Sequence, residues 1–431
     1  MTAAIKNLKD VADIVMGQSP TGETCNRDGT GLPLLNGPTE FGPMHPYPTQ
    51  FTTDARKKSN IGDLLFCVRG STTGRMNWAD QEYAIGRGIA AIRHRENPKL
   101  QPLVRAAIEV HLSVLLQSAT GSTFPNVSGP QLGSVPFPAV SMIEAESMAA
   151  TLGALDDKIN LNRRMNETLE AMARALFKNW FVDFGPTRAK MEGREPYLAQ
   201  EIWDLFPDKL DDDGKPEGWE ERPLRDVAVR ITKGTTPGKA DFIAAEGEKP
   251  EVNFVKVNAI SDDGAILRDR LENLPASIHT GTLKRSILEE SDVLYTIAGT
   301  IGRVAIVDLD LLPANTNQAV AIIRAASERV PPGYLRLLMT LPEFREELHA
   351  NVVHAVQANL SLGMISDAKA IFPPKDTIFR LFELIDLLLK RIRQNRTESR
   401  TLSQTRDLLL PKLMSGEIRI TAAQQAVQEA I

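Results

Sequence analysis

Between Met142 and Phe181 apolar residues return at every third or fourth position: Met148, Leu152, Leu155, Ile159, Leu169, Ala173, Leu176 and Trp180, with Asn162 and Asn166 keeping the same spacing. Charged residues occupy the other faces (Asp156, Asp157, Lys158, Arg163, Arg164, Glu167, Glu170, Arg174, Lys178). A seam sustained over several heptads specifies a long helix that lies along another helix. It recurs 233 residues later at Leu381, Ile385, Leu388, Ile392, Asn395, Ser399, Leu402, Arg406, Leu409 and Leu413. One chain thus carries the same helix twice, and the copies are expected to pair antiparallel. The matched Asn162 and Asn395 fit a register-setting role, because a buried Asn in the seam penalises slipped pairings. The alternative is that they sit at the solvated edge of the seam.

The doubling extends beyond the helices. Leu8 to Pro20 matches Leu224 to Pro237, and Asp63-Leu-Leu-Phe-Cys-Val-Arg-Gly70 matches Asp292-Val-Leu-Tyr-Thr-Ile-Ala-Gly299. Leu35-Asn36-Gly37 is paired with Val257-Asn258-Ala259, and Arg87 to Arg93 with Gln318 to Arg324. Pro125-Asn-Val-Ser128 and Ala358-Asn-Leu-Ser361 follow, where Ser128 and Ser361 are expected to cap short helices. Offsets drift only from 216 to 233 residues, far too long a period for a solenoid. The expected fold is α+β (mixed α/β): two similar globular domains separated by two long antiparallel coiled-coil helices, in a pseudo-two-fold internal repeat. The expected segments are 1–140, a first domain; 141–184, the first helix; 185–215, an irregular acidic and Pro-bearing linker; 216–375, a second domain; 376–416, the second helix; and 417–431, a tail. The run Asp211-Asp212-Asp213 reads as a solvated loop that would repel phosphates.

A length of 431 residues exceeds what one core usually supports, so several domains are expected. No apolar run approaches the roughly 18 residues of a membrane helix, and the N-terminus lacks the apolar region of a signal peptide. Cys25 and Cys67 are far apart and without metal-ligand spacing, as for reduced thiols in a cytoplasmic protein. The formal net charge of −5 is unlike that of an autonomous nucleic-acid binder, so any DNA-facing positive charge must be local or supplied by partners.

Catalytic motifs are missing. Gly70-Ser-Thr-Thr-Gly74 lacks the Lys of a P-loop, no H-E-x-x-H or paired C-x-x-C occurs, and the tetrapeptide of an amino-methyltransferase is absent. No residue is therefore assigned a catalytic or metal-binding role. Binding chemistry is easier to find. The two Gly-loops carry Arg69, Ser71, Thr72, Thr73 and Arg75 in the first half, and Thr300 and Arg303 in the second. Arg reads guanine bidentately and Asn or Gln reads adenine, which makes Asn36, Arg87, Asn258, Asn317 and Gln318 candidates. Lys57 and Lys58, after Arg56, and Lys284 with Arg285 are clusters of the kind that neutralise phosphates. A helix of about 40 residues spans roughly 60 Å, enough to hold two readers apart on duplex DNA. Two unlike readers would give a bipartite, asymmetric site. A coiled-coil scaffold indifferent to DNA, and a methyltransferase or nuclease with an unfamiliar site, are the competing readings.

Three stretches carry a family resemblance: Leu176-Phe-Lys-Asn-Trp-Phe-Val-Asp-Phe-Gly-Pro186, Pro216-Glu-Gly-Trp219, and Leu409-Leu-Pro-Lys-Leu-Met-Ser-Gly-Glu-Ile418. Together with the duplicated layout they make the chain resemble the specificity (S) subunits of type I restriction–modification systems. Gly214-Lys-Pro216 is one residue tighter than the form common there. The resemblance implies that each half is a target-recognition domain reading one part of a split DNA site. It implies that the helices set the spacer and dock two methyltransferase subunits. S-adenosylmethionine and ATP would then act on partner subunits, the latter on restriction–translocase subunits where these exist, with no cofactor in this chain.

Overall fold

The computed structural model describes residues 6–119, 125–350 and 360–430. In chain order, its first half holds strands β1 (Ala12–Met16), β2 (Leu32–Leu35), β3 (Leu64–Cys67), β4 (Met76–Trp78), β5 (Tyr83–Ile85) and β6 (Ile89–His94). Helices α1 (Gln101–Gln117), α2 (Met142–Phe181) and α3 (Gly185–Met191) follow. The second half holds β7 (Ala228–Lys233), β8 (Pro250–Val255), β9 (Val293–Thr296), β10 (Val304–Ile306), β11 (Ala314–Thr316) and β12 (Val320–Ala325). Helices α4 (Pro332–Thr340), α5 (Lys375–Ser415) and α6 (Ile420–Ala430) complete it.

The chain packs as two compact units, Met1–Met165 with Gln394–Ile431, and Asn166–Arg393. The division falls inside the long helices rather than at their ends, because the two halves of each seam are buried in different cores.

In the first unit an antiparallel sheet of order β1-β6-β3-β4 sets Ile92 opposite Ile14 and Ala91 opposite Leu65. Alternation along β3 sends Leu64 and Phe66 toward Leu103, Val104 and Ile108 of α1, and Leu65 toward Leu35, Tyr83 and Ile85 on the other face. The helical side of this core also takes Met148 and Leu152 of α2, Leu409 and Leu413 of α5, and Ala423 of α6. Helix α2 starts at a capping box in which the Ser141 hydroxyl accepts the Glu144 N–H (3.3 Å) and the Glu144 carboxylate accepts the Ser141 N–H (3.1 Å). The α2 and α5 segments of this unit run antiparallel. Asn162 Nδ2 donates to Glu398 Oε2 (2.7 Å), Ser399 Oγ (3.3 Å) and the Asn395 carbonyl (3.4 Å), while Lys158 pairs with Glu398 and Asp156 with Arg406. Asn162 and Asn395 are buried, so the solvated-edge alternative does not hold. Leu155, Leu402, Leu409 and Leu413 are buried and Ile159 half-buried.

The second unit repeats the plan. Its sheet has order β7-β12-β9-β10, with Ile323 opposite Ile231 and Ile322 opposite Leu294. Val293 and Tyr295 face a core with Tyr334 and Leu337 of α4, Phe177, Trp180 and Phe181 of α2, and Leu381, Ile385 and Ile392 of α5; Leu169, Leu176 and Leu388 are half-buried against it. Leu294 turns to the opposite core with Val255 and Ile260. Ser128 Oγ accepts the Gln131 N–H and Ser361 Oγ the Met364 N–H, capping the two short helices. Ala358 and Asn359 of the second match lie outside the described residues.

Three expectations need correction. The 185–215 linker is not irregular throughout: it forms α3 and a turn of helix at Gln200–Trp203, and it buries Ala189, Trp203 and Phe206. Phe206 stacks edge-on against Trp180 at 5.8 Å between ring centroids, so apolar anchors outweigh the prolines and acids. The 417–431 tail likewise holds α6, docked through Ala423. Glu170, expected on a solvated face, is buried against Arg336 Nη2 at 2.6 Å, because α4 covers that side of α2.

Candidate nucleic-acid interface

The polar loops of the first unit are gathered by the parallel pair β2 and β5, where Leu34 faces Ala84 and Leu35 faces Ile85. The strands end side by side and deliver Asn36 and Gly86-Arg87-Gly88 to one rim. Backbone bonds fasten the neighbouring loops there. Gly17 N–H donates to Ile89 O (2.9 Å), Gln18 N–H to Ile85 O (2.9 Å), Gly86 N–H to Leu35 O (2.8 Å) and Val68 N–H to Gly88 O (2.9 Å). The fit leaves no room for side chains at the glycines. A Cβ on Gly17 would lie 2.1 Å from Gly86 O, and one on Gly88 2.3 Å from Asn36 O. The Arg87 N–H donates to Ser19 Oγ at 3.2 Å, whereas its exposed guanidinium has no partner among the described residues. Asn36 is exposed and donates to Gln50 Oε1 at 3.1 Å. Lys57 lies beside this rim, its carbonyl accepting the Ile85 N–H, and Lys58 follows on the edge strand opposite Ala84. Arg69 follows Val68 and bridges to Asn126, with Ser71 and Thr72 exposed on the turn to β4.

The second unit rebuilds the rim with other side chains. β8 and β11 are its parallel pair, Val255 facing Thr316. Gly234 N–H donates to Val320 O (3.1 Å), Thr235 N–H to Thr316 O (3.0 Å) and Ile297 N–H to Ala319 O (2.8 Å). A Cβ on Gly234 would lie 2.1 Å from Thr316 O. Gln318 is exposed and its Oε1 accepts the Thr236 hydroxyl. Asn317 Oδ1 accepts the Ala319 N–H at 3.2 Å, and Thr300 is exposed on the loop after β9.

Both sheets are braced by the same ion pair. Asp63 accepts Arg93 Nε and Nη2 at 2.6 and 2.7 Å, and Asp292 accepts Arg324 Nε and Nη2 at 2.8 Å each. These hydrogen bonds hold both guanidinium groups above the usual arginine range. Cys67, buried below the first loop, has its thiol pushed up by that burial. Among the described residues no group of His, Cys, Asp and Glu is arranged to hold a metal ion, and no helix is long and apolar enough to cross a membrane.

Residues 2–171 match the family model described as the type I restriction modification DNA specificity domain. Over 84% of this chain and 88% of the relative, the sequence is 26% identical to the type I restriction enzyme HindI specificity subunit of Haemophilus influenzae. It is 23% identical to the MjaIX specificity subunit of Methanocaldococcus jannaschii over 96% of this chain and 93% of the relative. The first part of the chain thus matches the specificity-domain model, and the chain over most of its length is similar to specificity subunits of type I restriction enzymes. The crystal structure of such an S subunit from M. genitalium superposes with a TM-score of 0.54 at 15% identity, covering 95% of this chain and 96% of that one, which bears on the fold alone.

Within this chain the candidate residues do not form one set. Arg75 and Arg303 are braces: Arg75 donates to Pro38 O (3.2 Å) and Phe41 O (3.3 Å), Arg303 to Ile260 O (2.9 Å) and Asp262 (2.7 Å). Thr73 donates to Gly70 O and Pro125 O and closes its own turn. Asn258 is not the counterpart of Asn36. Strand pairing aligns Leu35 with Val255, so Lys256 follows the strand where Asn36 does, and Asn258 sits within the short turn Val257–Ala259 as Thr39 does within Pro38–Glu40. Lys284 and Arg285 lie elsewhere in the second unit: the Arg285 carbonyl accepts Arg230 Nη2 at 2.8 Å, four residues before Gly234 and so roughly 13 Å down β7 from the rim. Sequence reasoning missed Ser19, Gln50 and Thr236. The signal for two of them was present in the matched Gly17-Gln-Ser-Pro20 and Gly234-Thr-Thr-Pro237.

Proposed function

We infer that this specificity subunit reads a bipartite, asymmetric duplex DNA target, one part through each unit. The observation that carries the reading is the duplicated rim: a backbone scaffold that shares three equivalent hydrogen bonds presents Asn36, Arg87 and Lys57 in one unit and Lys256, Asn317 and Gln318 in the other. In the first rim Arg87, Lys57 and Lys58 bring positive charge together, as an acidic chain requires if it is to meet phosphates, whereas in the second Lys256 is paired with Glu272.

On this reading α2 and α5 set the unread spacer and dock two methyltransferase subunits, with restriction–translocase subunits joining where the system has them. S-adenosylmethionine and ATP belong to those partners, and the chain itself performs no chemistry. The sequence supports this through its missing nucleotide loop and base-holding tetrapeptide.

Selection of random DNA by the assembly reconstituted with its methyltransferase tests the reading. Two short base clusters flanking an unread spacer are expected, and exchange of residues 1–140 for another first domain should change one cluster only. A coiled-coil scaffold would enrich no sequence. Methyl transfer to DNA by this chain alone would establish an enzyme instead.

A further inference from the structure

The rims of the two units coincide at one position with different side chains. Arg87 and Gln318 both sit one residue before the carbonyl that accepts the N–H of Val68 or Ile297, and two before the carbonyl that accepts the N–H of Gly17 or Gly234. The same hydroxyl partner meets each: Ser19 accepts the Arg87 N–H, and Thr236 donates to Gln318 Oε1. Ser19 and Thr236 are themselves matched residues, each two after the glycine that admits no Cβ.

We propose that Arg87 and Gln318 are the equivalent base-reading residues of the two units, Arg87 for a guanine and Gln318 for an adenine. The proposal rests on the DNA-reading function inferred above and adds which residue reads which base. A base-reading side chain needs a fixed backbone and free polar atoms. Arg87 has both, since its peptide is clamped between Gly86, Gly88 and Ser19 while its guanidinium is exposed and unpartnered among the described residues. The guanidinium fork matches guanine O6 and N7. Gln318 presents an exposed amide whose oxygen is oriented by the Thr236 hydroxyl. That oxygen keeps a second lone pair for the adenine N6 amino group, and its NH2 can donate to N7. Lysine could replace Arg87 as a phosphate-neutralising charge but could not make the fork.

The test uses the full chain in its methyltransferase assembly, with random-sequence selection and binding titrations on the selected site. R87Q is expected to exchange guanine for adenine preference at one position of one cluster and leave the other cluster untouched; Q318R should do the converse. R87A and R87K should both lower discrimination at that position about ten- to a hundredfold. Weakening by R87A that is equal on all sequences assigns Arg87 to the phosphate backbone and overturns the proposal. Unchanged selection in both Arg87 variants and in Q318A overturns it as well. Absence of any preference in the unaltered assembly would sink the DNA-reading function itself, a distinct outcome. Retained thermal unfolding of each variant separates these results from misfolding.

Discussion

Asp63 and Arg93 lock together through two parallel hydrogen bonds of 2.6 and 2.7 Å, and the second Asp63 oxygen also accepts the Asn60 N–H at 2.7 Å. The carboxylate is 1% exposed and the guanidinium 37%, so the pair closes the head of β3 at the border of the core. Removing the acid leaves a strand end uncapped and a half-buried cation unpaired. D63A should cost about 2–4 kcal/mol. Hydrogen exchange should show lost amide protection in the first unit and none in the second, where Asp292 and Arg324 remain. D292A should give the mirror result.

Asn162 supplies the seam's polar contact with Glu398 and Ser399. N162A strands acceptors in a buried site and should lower stability by about 1–2 kcal/mol in denaturant unfolding. A double-mutant cycle with E398A should return a coupling above about 0.5 kcal/mol. Additive effects would mean that the asparagine does not act through that carboxylate.

Gly17 is required by close approach rather than by torsion. A methyl group there would collide with three carbonyl oxygens, the nearest at 2.1 Å, whereas Gly22 has nothing within 4 Å. G17A is expected to cost about 2 kcal/mol or more and to disorder the first rim, while G22A should be near neutral. The readout is thermal unfolding of both variants beside selection of DNA by the assembly. Loss of one base cluster in G17A, with the other retained, is the expected pattern.

His94 makes the first unit sensitive to acid. Burial holds its imidazole below the usual value, and its Nδ1 lies 3.1 Å from the Asn97 N–H, which it can accept only when that nitrogen is unprotonated. A histidine with a lowered folded pKa contributes stability that is complete above its unfolded value near 6.5 and is lost as pH falls through the folded value. Unfolding temperature measured from pH 7 to 5 should therefore fall more steeply for the unaltered chain than for H94Q. Parallel curves would remove His94 as the titrating group.

The long helices, the order of the strands and the doubling were legible because each rests on interactions between near neighbours. A seam at three- and four-residue spacing, the Ser128 and Ser361 caps and matched Gly-containing turns repeat whatever packs above them. The rim was legible in part. Arg87 and Gln318 were among the candidates, and the structure leaves both exposed on the rims, but Arg75 and Arg303 resemble them in sequence and donate to backbone carbonyls some 34 to 43 residues away. Asn258 shows a different limit. A match of residue types placed it opposite Asn36, and the parallel register of β8 with β11 moved that place to Lys256.

What the sequence determined on its own was the inventory: two copies of a strand-rich domain, two long amphipathic helices and an Asn at the same place in each. Only the tertiary structure decided which polar groups were already satisfied. It gave Glu170 a buried partner in Arg336, docked 185–215 through Phe206 against Trp180, and split each long helix between two cores. The physical reason is range. Periodicity and capping act within a few residues, whereas desolvation and pairing of a charge depend on whichever segment arrives from far along the chain to cover it.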